Sequence, residues 1–264
     1  MPFDPLQSPS RERISQFIIL PPYIGEGHGP QLYELIVKQW LADQYVCEFT
    51  VEDPNEAFDR LRDLADLKRL RQSPEFASLN LADTIPDDAL KPDAPVPIDL
   101  ILPLDTVETI RAKSRISPRQ FSRLLEMQLL SKIPARHRTK ARITRKAKSP
   151  DSNDRKYFFW RLVLKERLYR QHRDVLLQLD KEERVQKVEE TVEGVQEEYV
   201  DLIDAAERRQ LEDKNAADDT HEDSPLNGTT GRKRRVIDED EDEEEEDDDD
   251  VGSSSSAGKK RRLA

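Results

Sequence analysis

The sequence predicts a small α/β unit, then a bundle of helices, then a disordered acidic tail. Within the first seventy residues, a strand, a glycine-rich turn, a helix, a second strand and a second helix follow one another. Apolar residues then recur at helical spacing between residues 104 and 199, and beyond residue 200 this pattern gives way to charged and small residues. The α/β unit is too small to be a complete sheet domain.

The composition limits how much of the chain can form a core. Hydrophobic residues make up 35% of the 264 residues and charged residues 37%, so the core is smaller than the length suggests. The formal net charge is −12, and the unbroken acidic run at residues 238–250 accounts for it, which leaves the rest of the chain close to neutral. The acidic balance therefore describes a tail and not a folded surface.

Cysteine usage and the absence of long apolar runs indicate an intracellular, soluble protein. The single cysteine, Cys47, excludes an internal disulfide and a multi-cysteine zinc site, and its apolar neighbours predict a small core residue. No apolar run reaches the length of a membrane span, so no membrane partner is expected. Residues 1–13 contain three prolines and lack the apolar segment of a secretory signal, and we expect this start to be disordered.

Local patterns predict each element of the α/β unit, residues 14–72. Residues 14–20 form a short β-branched and aromatic run that ends at two prolines, which is typical of a buried strand. Residues 31–41 predict a helix with Pro30 in its first turn, and residues 44–51 predict a second strand. The helix stripe consists of Leu32, Leu35, Ile36 and Trp40, and the two strand faces are Val46, Glu48, Thr50 and Tyr45, Cys47, Phe49.

A second helix begins at Pro54. Asp53 is predicted to be its N-cap, with Glu56 completing a capping box. Its apolar stripe comprises Phe58, Leu61, Leu64 or Ala65, and Leu67 or Leu70.

The rest of the chain divides by composition. Prolines accumulate in residues 73–102, which predict a loop-rich connector. Residues 103–200 predict a helical domain with helices at 104–113, 117–132 and 157–199, the last with a break, and a strongly basic loop at 136–148. The central helix has an apolar face formed by Phe121, Leu124, Leu125, Gln128 and Leu129.

The tail, residues 201–264, is predicted to be disordered because it has high charge and few aromatic residues. Basic clusters at residues 232–235 and 259–262 favour nuclear import, so we expect the protein in both nucleus and cytoplasm. The acidic run between them attracts basic histones or simply keeps the chain soluble. No direct nucleic-acid binding is expected of the basic loop, since no aromatic stacking platform accompanies it.

The segment after the first strand is the strongest functional signal in the chain. Gly25, Gly27 and Gly29 are three of only eight glycines, and they lie within five residues between a strand and a helix. Glycines allow the backbone to approach a ligand closely, and free amides at a helix start favour phosphate. We therefore expect a phosphate-binding loop, and His28 within it receives no catalytic role.

Spacing alone leaves the ligand of this loop open. A dinucleotide fingerprint requires a third glycine where this chain has Pro30, although Glu52 superficially fits the ribose-binding acid. A Walker loop is excluded because no Gly-Lys-Ser/Thr sequence follows. Glu52 also lies at the end of a strand beside the loop, where α/β folds place their ligands, which makes it a candidate general base.

Two motifs together resemble the catalytic subunit of type B histone acetyltransferases, a family of the GNAT acyltransferase superfamily. The first is Ile-Ser-Gln-Phe-Ile-Ile-Leu-Pro-Pro at residues 14–22 with the Gly-His-Gly loop, and the second is Phe-Thr-Val-Glu-Asp-Pro-Asn-Glu-Ala-Phe at residues 49–58 with Leu-Arg-Asp at 61–63. The resemblance continues more weakly to about residue 199, and the tail lies outside it. It implies a partial GNAT sheet, with first strands and a histone-binding domain expected before residue 14.

The resemblance also implies specific roles for residues. Glu52 matches the general base, Asn55 matches a position that contacts the cofactor, and the backbone of the first strand is implied to hydrogen-bond acetyl-CoA. The cofactor-binding residues so implied are Phe17, Ile18, Ile19, Ile24, Gly25, Glu26, Gly27, His28, Gly29, Pro30 and Asn55. Ile24 departs from the Gln or Arg usual in the family, which removes a polar side chain but no backbone amide.

The function implied is transfer of acetyl from acetyl-CoA to lysines in the amino-terminal tail of newly made histone four. The reaction is expected to need no metal, and the usual partner is a WD-repeat histone chaperone. Two other hypotheses stay open: a non-catalytic, chaperone-type histone-binding fragment and, more weakly, a nucleotide-binding oxidoreductase domain.

Overall fold

A computed structural model describes residues 9–86, 88–91 and 95–219. This part of the chain is mostly helical with one small parallel sheet. The strands are β1, Ser10–Ile14, and β2, Val46–Val51. The helices are α1, His28–Ala42; α2, Glu56–Arg71; α3, Pro74–Ser78; α4, Ile98–Ile101; α5, Leu104–Ser114; α6, Pro118–Ser131; α7, Ser152–Gln171; α8, Arg173–Leu176; and α9, Lys181–Asp219. None of these helices combines the length and apolarity that crossing a membrane requires.

The first strand lies earlier in the chain than predicted. β1 pairs in parallel with β2 up to Ile14, opposite Val51, so residues 10–13 are strand instead of disordered. Residues 15–20, predicted to be strand, form neither strand nor helix. The reason is that β2 ends at Val51, and within the described residues nothing continues the ladder beside the segment that follows Ile14.

Cys47 is exposed, which corrects the prediction that it is a core residue. The register steps from Ser10 opposite Val46 to Arg11 opposite Glu48, so Cys47 is the extra residue of a β-bulge. The bulge also breaks the predicted alternation of strand faces, because Val46 and Phe49 are both buried. The thiol of Cys47 donates to the carbonyl oxygen of Ser10 over 3.1 Å.

The face that α1 buries is rotated from the predicted stripe. Tyr33 and Val37 are buried and Ile36 and Trp40 are partly buried, whereas Leu35 is 63% exposed. Leu32 is also exposed. Pro30 lies in the first turn, as predicted.

Helix α2 is capped by Asn55 and not by Asp53. The side-chain oxygen of Asn55 accepts a 2.8 Å hydrogen bond from the amide of Phe58, so the helix begins at Glu56. Asp53 instead occupies the left-handed region with φ of 40°, in the turn between β2 and the helix.

Charged side chains are buried between α1 and α2. Asp66, which is completely buried, accepts from the hydroxyl of Tyr33 and from the guanidinium of Arg69, each at 3.0 Å. Asp63 on the neighbouring face accepts from Gln120 and Arg123 of α6, each at 2.7 Å. These bonds fix the helix that follows β2 against both neighbours.

Helix α6 lies at the centre of the helical region, and its predicted apolar face is buried in full. Glu126 is buried with it: its carboxylate accepts from Arg167 of α7 at 2.7 Å and from Tyr199 of α9 at 2.8 Å. Trp160 donates to the backbone carbonyl of Glu126 at 2.9 Å. A polar network thus joins three helices distant in sequence.

Helix α9 corrects the predicted start of the tail. The composition predicts disorder from residue 201, but the helix runs on to Asp219. The continuation is stabilised by burial, since Leu202, Ile203 and Ala205 lie in the core. The predicted basic clusters at residues 232–235 and 259–262 and the acidic run lie outside the described residues.

The three predicted helices of the 103–200 region occur as α5, α6 and the series α7 to α9, with the expected break at α8. The 73–102 segment carries two short helices, α3 and α4, between its loops.

Candidate functional site

The glycine loop opens onto solvent at the start of α1. A 3-10 turn at Pro21–Tyr23 leads into Gly25 and Gly27, both with φ of 80°, a conformation that suits glycine. Gly27 is the N-cap residue of α1 and provides no side chain to the first-turn amides. Nothing lies within 4 Å of the place that a Cβ atom on Gly27 would take. This open space, beside first-turn amides that have no acceptor within the helix, fits a phosphate group.

Gly29 differs from the other two glycines, because it contributes to helix packing and does not lie on the open side of the loop. A Cβ at Gly29 would lie 3.0 Å from the Cδ1 atom of Leu61 on α2. Gly29 is also buried, unlike the rest of the loop before it. The absence of a side chain therefore lets α1 approach α2 closely, which fixes the direction of the loop.

The segment between β1 and the loop passes over the starts of both helices. The ring of Phe17 meets that of Phe58 edge-on at a centroid distance of 4.8 Å. A Cβ at Gly29 would lie 3.9 Å from Ile19, whereas Ile18 between them is 73% exposed. Residues 17–19 thus lie beside the starts of α1 and α2.

Glu52 directly follows β2. Its amide donates a 2.9 Å hydrogen bond to the carbonyl oxygen of Ile14, which is part of the last pairing between the two strands, Ile14 with Val51. Its carboxylate is exposed and lies 3.5 Å from the guanidinium of Arg13. The carboxylate is therefore anchored through its backbone and accessible at its tip, as a proton acceptor for a bound substrate must be.

A cavity of about 490 Å³ lies beside the end of β2. Thr50, Val51 and Asp53 form one wall, and the starts of α2 and α6 form the others. Arg62 lines it while 95% buried, and its Nε and one terminal nitrogen have no hydrogen-bond partner in the described part of the chain. In the sequence, Arg62 stands out only as part of a motif, with no sign that its charge is buried.

His28 and Asn55 have local partners. His28 Nε2 lies 3.2 Å from a carboxylate oxygen of Glu26, and its ring meets that of Tyr23 at 5.9 Å. Asn55 holds the α2 cap described above, so its side-chain oxygen is already engaged.

One group of described residues has the composition of a metal site: His137, Asp151 and Asp154. Arginines already occupy it. His137 Nδ1 lies 2.7 Å from Asp154, its Nε2 accepts from Arg136 at 3.1 Å, and Arg142 donates to Asp154 at 3.1 Å. Two guanidinium groups among the ligands disfavour a further cation, and the cluster instead pins the basic loop to α7.

Comparison with known proteins connects this geometry to a class. A family model described as fungal HAT1, C-terminal, matches residues 93–133, which include α4 to α6. Histone acetyltransferase type B catalytic subunits resemble the chain more widely. That of Gibberella zeae is 43% identical over 203 residues, covering 76% of this chain and 41% of the relative.

Two further relatives carry the same description. The protein of Aspergillus fumigatus is 44% identical over 209 residues, with 75% of this chain and 36% of the relative covered. That of Kluyveromyces lactis is 34% identical over 211 residues, with 79% and 44% covered. The chain thus spans about two fifths of the length of the curated relatives that it matches.

The relatives of this chain are histone acetyltransferases. Within that class it belongs to the family of type B catalytic subunits.

Proposed function

We propose that this chain carries the acetyl-CoA loop and the general base of an enzyme that acetylates histone lysines. The observation that carries the proposal is the meeting of two features at one end of the sheet, in a homologue of histone acetyltransferases. Glu52 directly follows β2 there, and the loop from Ile24 to Pro30 leads into α1.

The loop suits the pyrophosphate of acetyl-CoA. Gly25 and Gly27 adopt a left-handed backbone that allows a tight turn, and the start of α1 adds its partial positive charge. The side chains of Glu26 and His28 are exposed and contact each other. Phe17 and Ile19 are anchored by packing, which holds the backbone of the segment between them in a defined path for the pantetheine arm.

Glu52 supplies the proton chemistry. A lysine ammonium with a pKa of about 10.4 is not a nucleophile at neutral pH until a base removes a proton. The carboxylate of Glu52 takes that proton directly or through a water molecule, after which the amine attacks the carbonyl carbon of the thioester. The C–N bond forms, the C–S bond breaks, and coenzyme A leaves as the thiol. Backbone amides near the strand end stabilise the oxyanion.

We further propose that the substrate is the amino-terminal tail of newly made histone four, that a WD-repeat histone chaperone is the partner, and that the protein acts in nucleus and cytoplasm. These assignments rest on the family to which the chain belongs. The lysine-rich character of such tails agrees with an accessible carboxylate at the site.

The test is transfer of labelled acetyl from acetyl-CoA to a histone-four tail peptide by the chain and its Glu52→Gln variant. Loss of the base is expected to lower the rate by about 10²- to 10⁴-fold. Glu56→Gln is the matched control, because Glu56 is an exposed carboxylate four residues away in the first turn of α2. Circular dichroism of all three proteins checks that they are folded.

Equal loss in both variants, or full activity of Glu52→Gln, would remove Glu52 from the role of base. A folded wild-type chain that binds the histone peptide but transfers no acetyl would favour the non-catalytic histone-binding alternative.

A further inference from the structure

A groove with mainly apolar walls lies between α4, α5, α6 and α7. It has a volume of about 560 Å³, which is within the range of small-molecule sites. Its apolar lining comprises Ile98, Leu102, Leu104, Val107, Leu125 and Val163. No residue of the glycine loop, of β2 or of α2, all of which the structure describes, lines this groove.

The walls of the groove leave carbon surface open to solvent. Leu104 is 43% exposed, and Val107 is only partly buried. Ser122 on the α6 wall adds little polarity, because its hydroxyl already donates to the carbonyl oxygen of Pro118 at 2.9 Å. A ligand that places methylene groups against these walls therefore gains affinity with each group that it buries.

The carboxylates that line the groove are each engaged by an arginine. Glu166 pairs with Arg170 at 3.0 Å, both on α7. Glu126 of α6 pairs with Arg167 of α7 at 2.7 Å. These four charges compensate one another, so the charge that remains in the lining is that of Arg119.

Arg119 and the start of α6 make one end of the groove positive. The side chain of Arg119 is exposed and forms no hydrogen bond, and no ion pair within 4.0 Å, with any residue that the structure describes; its charge acts on Asp59 of α2 from a greater distance. Pro118, the first residue of α6, lines the same end. The N-cap Ser117 provides no side-chain hydrogen bond, so the amides of Arg119 and Gln120 have no acceptor within the helix.

We propose that this groove binds an unbranched fatty-acid carboxylate, with its chain against the apolar walls and its head group paired with Arg119 at the start of α6. A carbon surface with an unpaired cation at one end is complementary to a molecule that has an apolar chain and one anionic end. A neutral apolar ligand leaves Arg119 without a partner, and a small anion leaves the walls uncovered. The inference is independent of the proposed function.

The test measures binding of decanoate, octanoate and decanol to the full chain by isothermal titration calorimetry, below the concentrations at which these probes form micelles. Decanol has the same chain length as decanoate without the charge. We expect decanoate to bind about fivefold more tightly than decanol, because decanol lacks the ion pair with Arg119. Octanoate should bind about tenfold more weakly than decanoate, because two fewer methylene groups are buried.

Arg119→Gln should abolish the preference for decanoate over decanol, since it removes the cation and leaves the walls unchanged. Arg119 is exposed, so the substitution leaves the fold intact. Arg60→Gln is the matched control, and it should leave the preference unchanged. Arg60 is an exposed arginine of α2 that forms no hydrogen bond or ion pair with a described residue and does not line the groove.

Ser122→Phe tests the position of the chain. Ser122 lines the groove and is only partly buried, so a phenyl ring at this position occupies the groove without entering the core. The substitution should weaken binding of both decanoate and decanol by about tenfold, because the chain loses its contact with the walls. Arg119 also borders the cavity beside β2, whereas Ser122 does not, so this variant distinguishes the two cavities. Circular dichroism checks that each variant is folded.

The outcomes decide each part of the inference. Equal affinity of wild type for decanoate and decanol, or an equal loss of preference in Arg119→Gln and Arg60→Gln, overturns the pairing with Arg119. Undiminished binding by folded Ser122→Phe overturns the groove as the site of the chain. Failure of decanoate to bind wild type overturns the inference as a whole. Each of these results leaves the proposed function standing, because neither the glycine loop nor Glu52 lines the groove.

Discussion

At the scale of single residues, the buried carboxylates are the most sensitive groups in the molecule. Burial raises the pKa of Asp66, although Arg69 and Arg62 act to lower it. A carboxyl group whose pKa is higher in the folded chain binds its proton more tightly there than in the unfolded chain. Its contribution to stability is therefore complete at acidic pH, below the ordinary carboxyl pKa, and is lost as the pH rises through the raised value.

The variant Asp66→Asn should gain stability relative to wild type as the pH rises. Asparagine cannot ionise, so the variant lacks the loss that wild type suffers as the pH rises from the ordinary carboxyl pKa through the raised pKa of Asp66. The measurement is the free energy of unfolding in urea for both proteins across this range. If the free energy of unfolding of wild type instead rises relative to that of the variant as the pH rises, the arginines affect the pKa of Asp66 more than burial does.

Asp154 provides a control with the opposite sign. Burial acts to raise the pKa of Asp154, but hydrogen bonds and charge from His137 and Arg142 hold it below the ordinary value. Its contribution is present above the ordinary carboxyl pKa and is lost as the pH falls. Asp154→Asn should therefore lose stability relative to wild type as the pH rises from the lowered pKa to the ordinary carboxyl pKa, which is below the range in which Asp66 titrates.

Single residues also mark the limit of sequence reasoning. Asp53 and Asn55 are both residue types that cap helices, and the sequence pattern predicts Asp53. The backbone of Asp53 is left-handed, and Asn55 is the residue that caps the helix. Cys47 lies among apolar neighbours, and only the pairing register reveals it as a bulge residue. Register depends on contacts between distant residues, which local composition does not encode.

At the scale of elements, two helical glycines differ in what surrounds them. Gly29→Ala should lower the free energy of unfolding by about 1 kcal/mol, because the new methyl group is forced against Leu61 and overpacking outweighs the gain in helix propensity. Gly194→Ala, with nothing within 4 Å, should raise it by about 0.5–1 kcal/mol. Urea denaturation of the two variants measures both.

Stabilisation of the protein by Gly29→Ala would mean that the side chain of Leu61 can move aside at little cost. That result would also show that the direction of the loop does not depend on the close contact of Gly29 with Leu61.

Helices were more predictable than strands. Periodic apolar residues and Pro118 placed α6 within a residue of its observed bounds, because helical spacing is a local property. β1 was displaced because its ladder is formed with β2, over thirty residues away. Leu202 and Ile203 follow Tyr199 at helical spacing, which indicates that α9 continues. The prediction of disorder from residue 201 gave more weight to the charged residues around them.

At the scale of the whole molecule, the hydroxyl of Tyr199 on α9 forms hydrogen bonds with Glu126 on α6 and Arg167 on α7. Tyr199→Phe should lower the free energy of unfolding by about 1–3 kcal/mol, because the buried carboxylate of Glu126 loses a hydrogen-bond donor. Tyr169→Phe is the control: its hydroxyl has no hydrogen bond to any described residue, and a change below about 0.5 kcal/mol is expected. Thermal and urea unfolding provide the measurements.

Equal effects of the two substitutions would mean that Arg167 alone satisfies Glu126. In that case the packing of the Tyr199 ring, and not its hydroxyl, holds α9 in place.

Part of the candidate site could be predicted from the sequence, because local patterns indicate which residues precede a helix and which follow a strand. The sequence placed Gly25 and Gly27 before a helix and Glu52 after a strand, and the structure has both arrangements. The roles of Gly25 and Gly27 in binding and of Glu52 in catalysis stay predictions.

The position of α9 has a consequence for how the chain is made. Helix α2 packs against α9, so the apolar surface behind the glycine loop stays uncovered until residues near Ala205 have been synthesised. At a translation rate of roughly 5–20 residues per second, that interval lasts on the order of 10 seconds. During it the nascent chain exposes Leu64 and its neighbours to other polypeptides, which makes early chaperone binding advantageous for this protein.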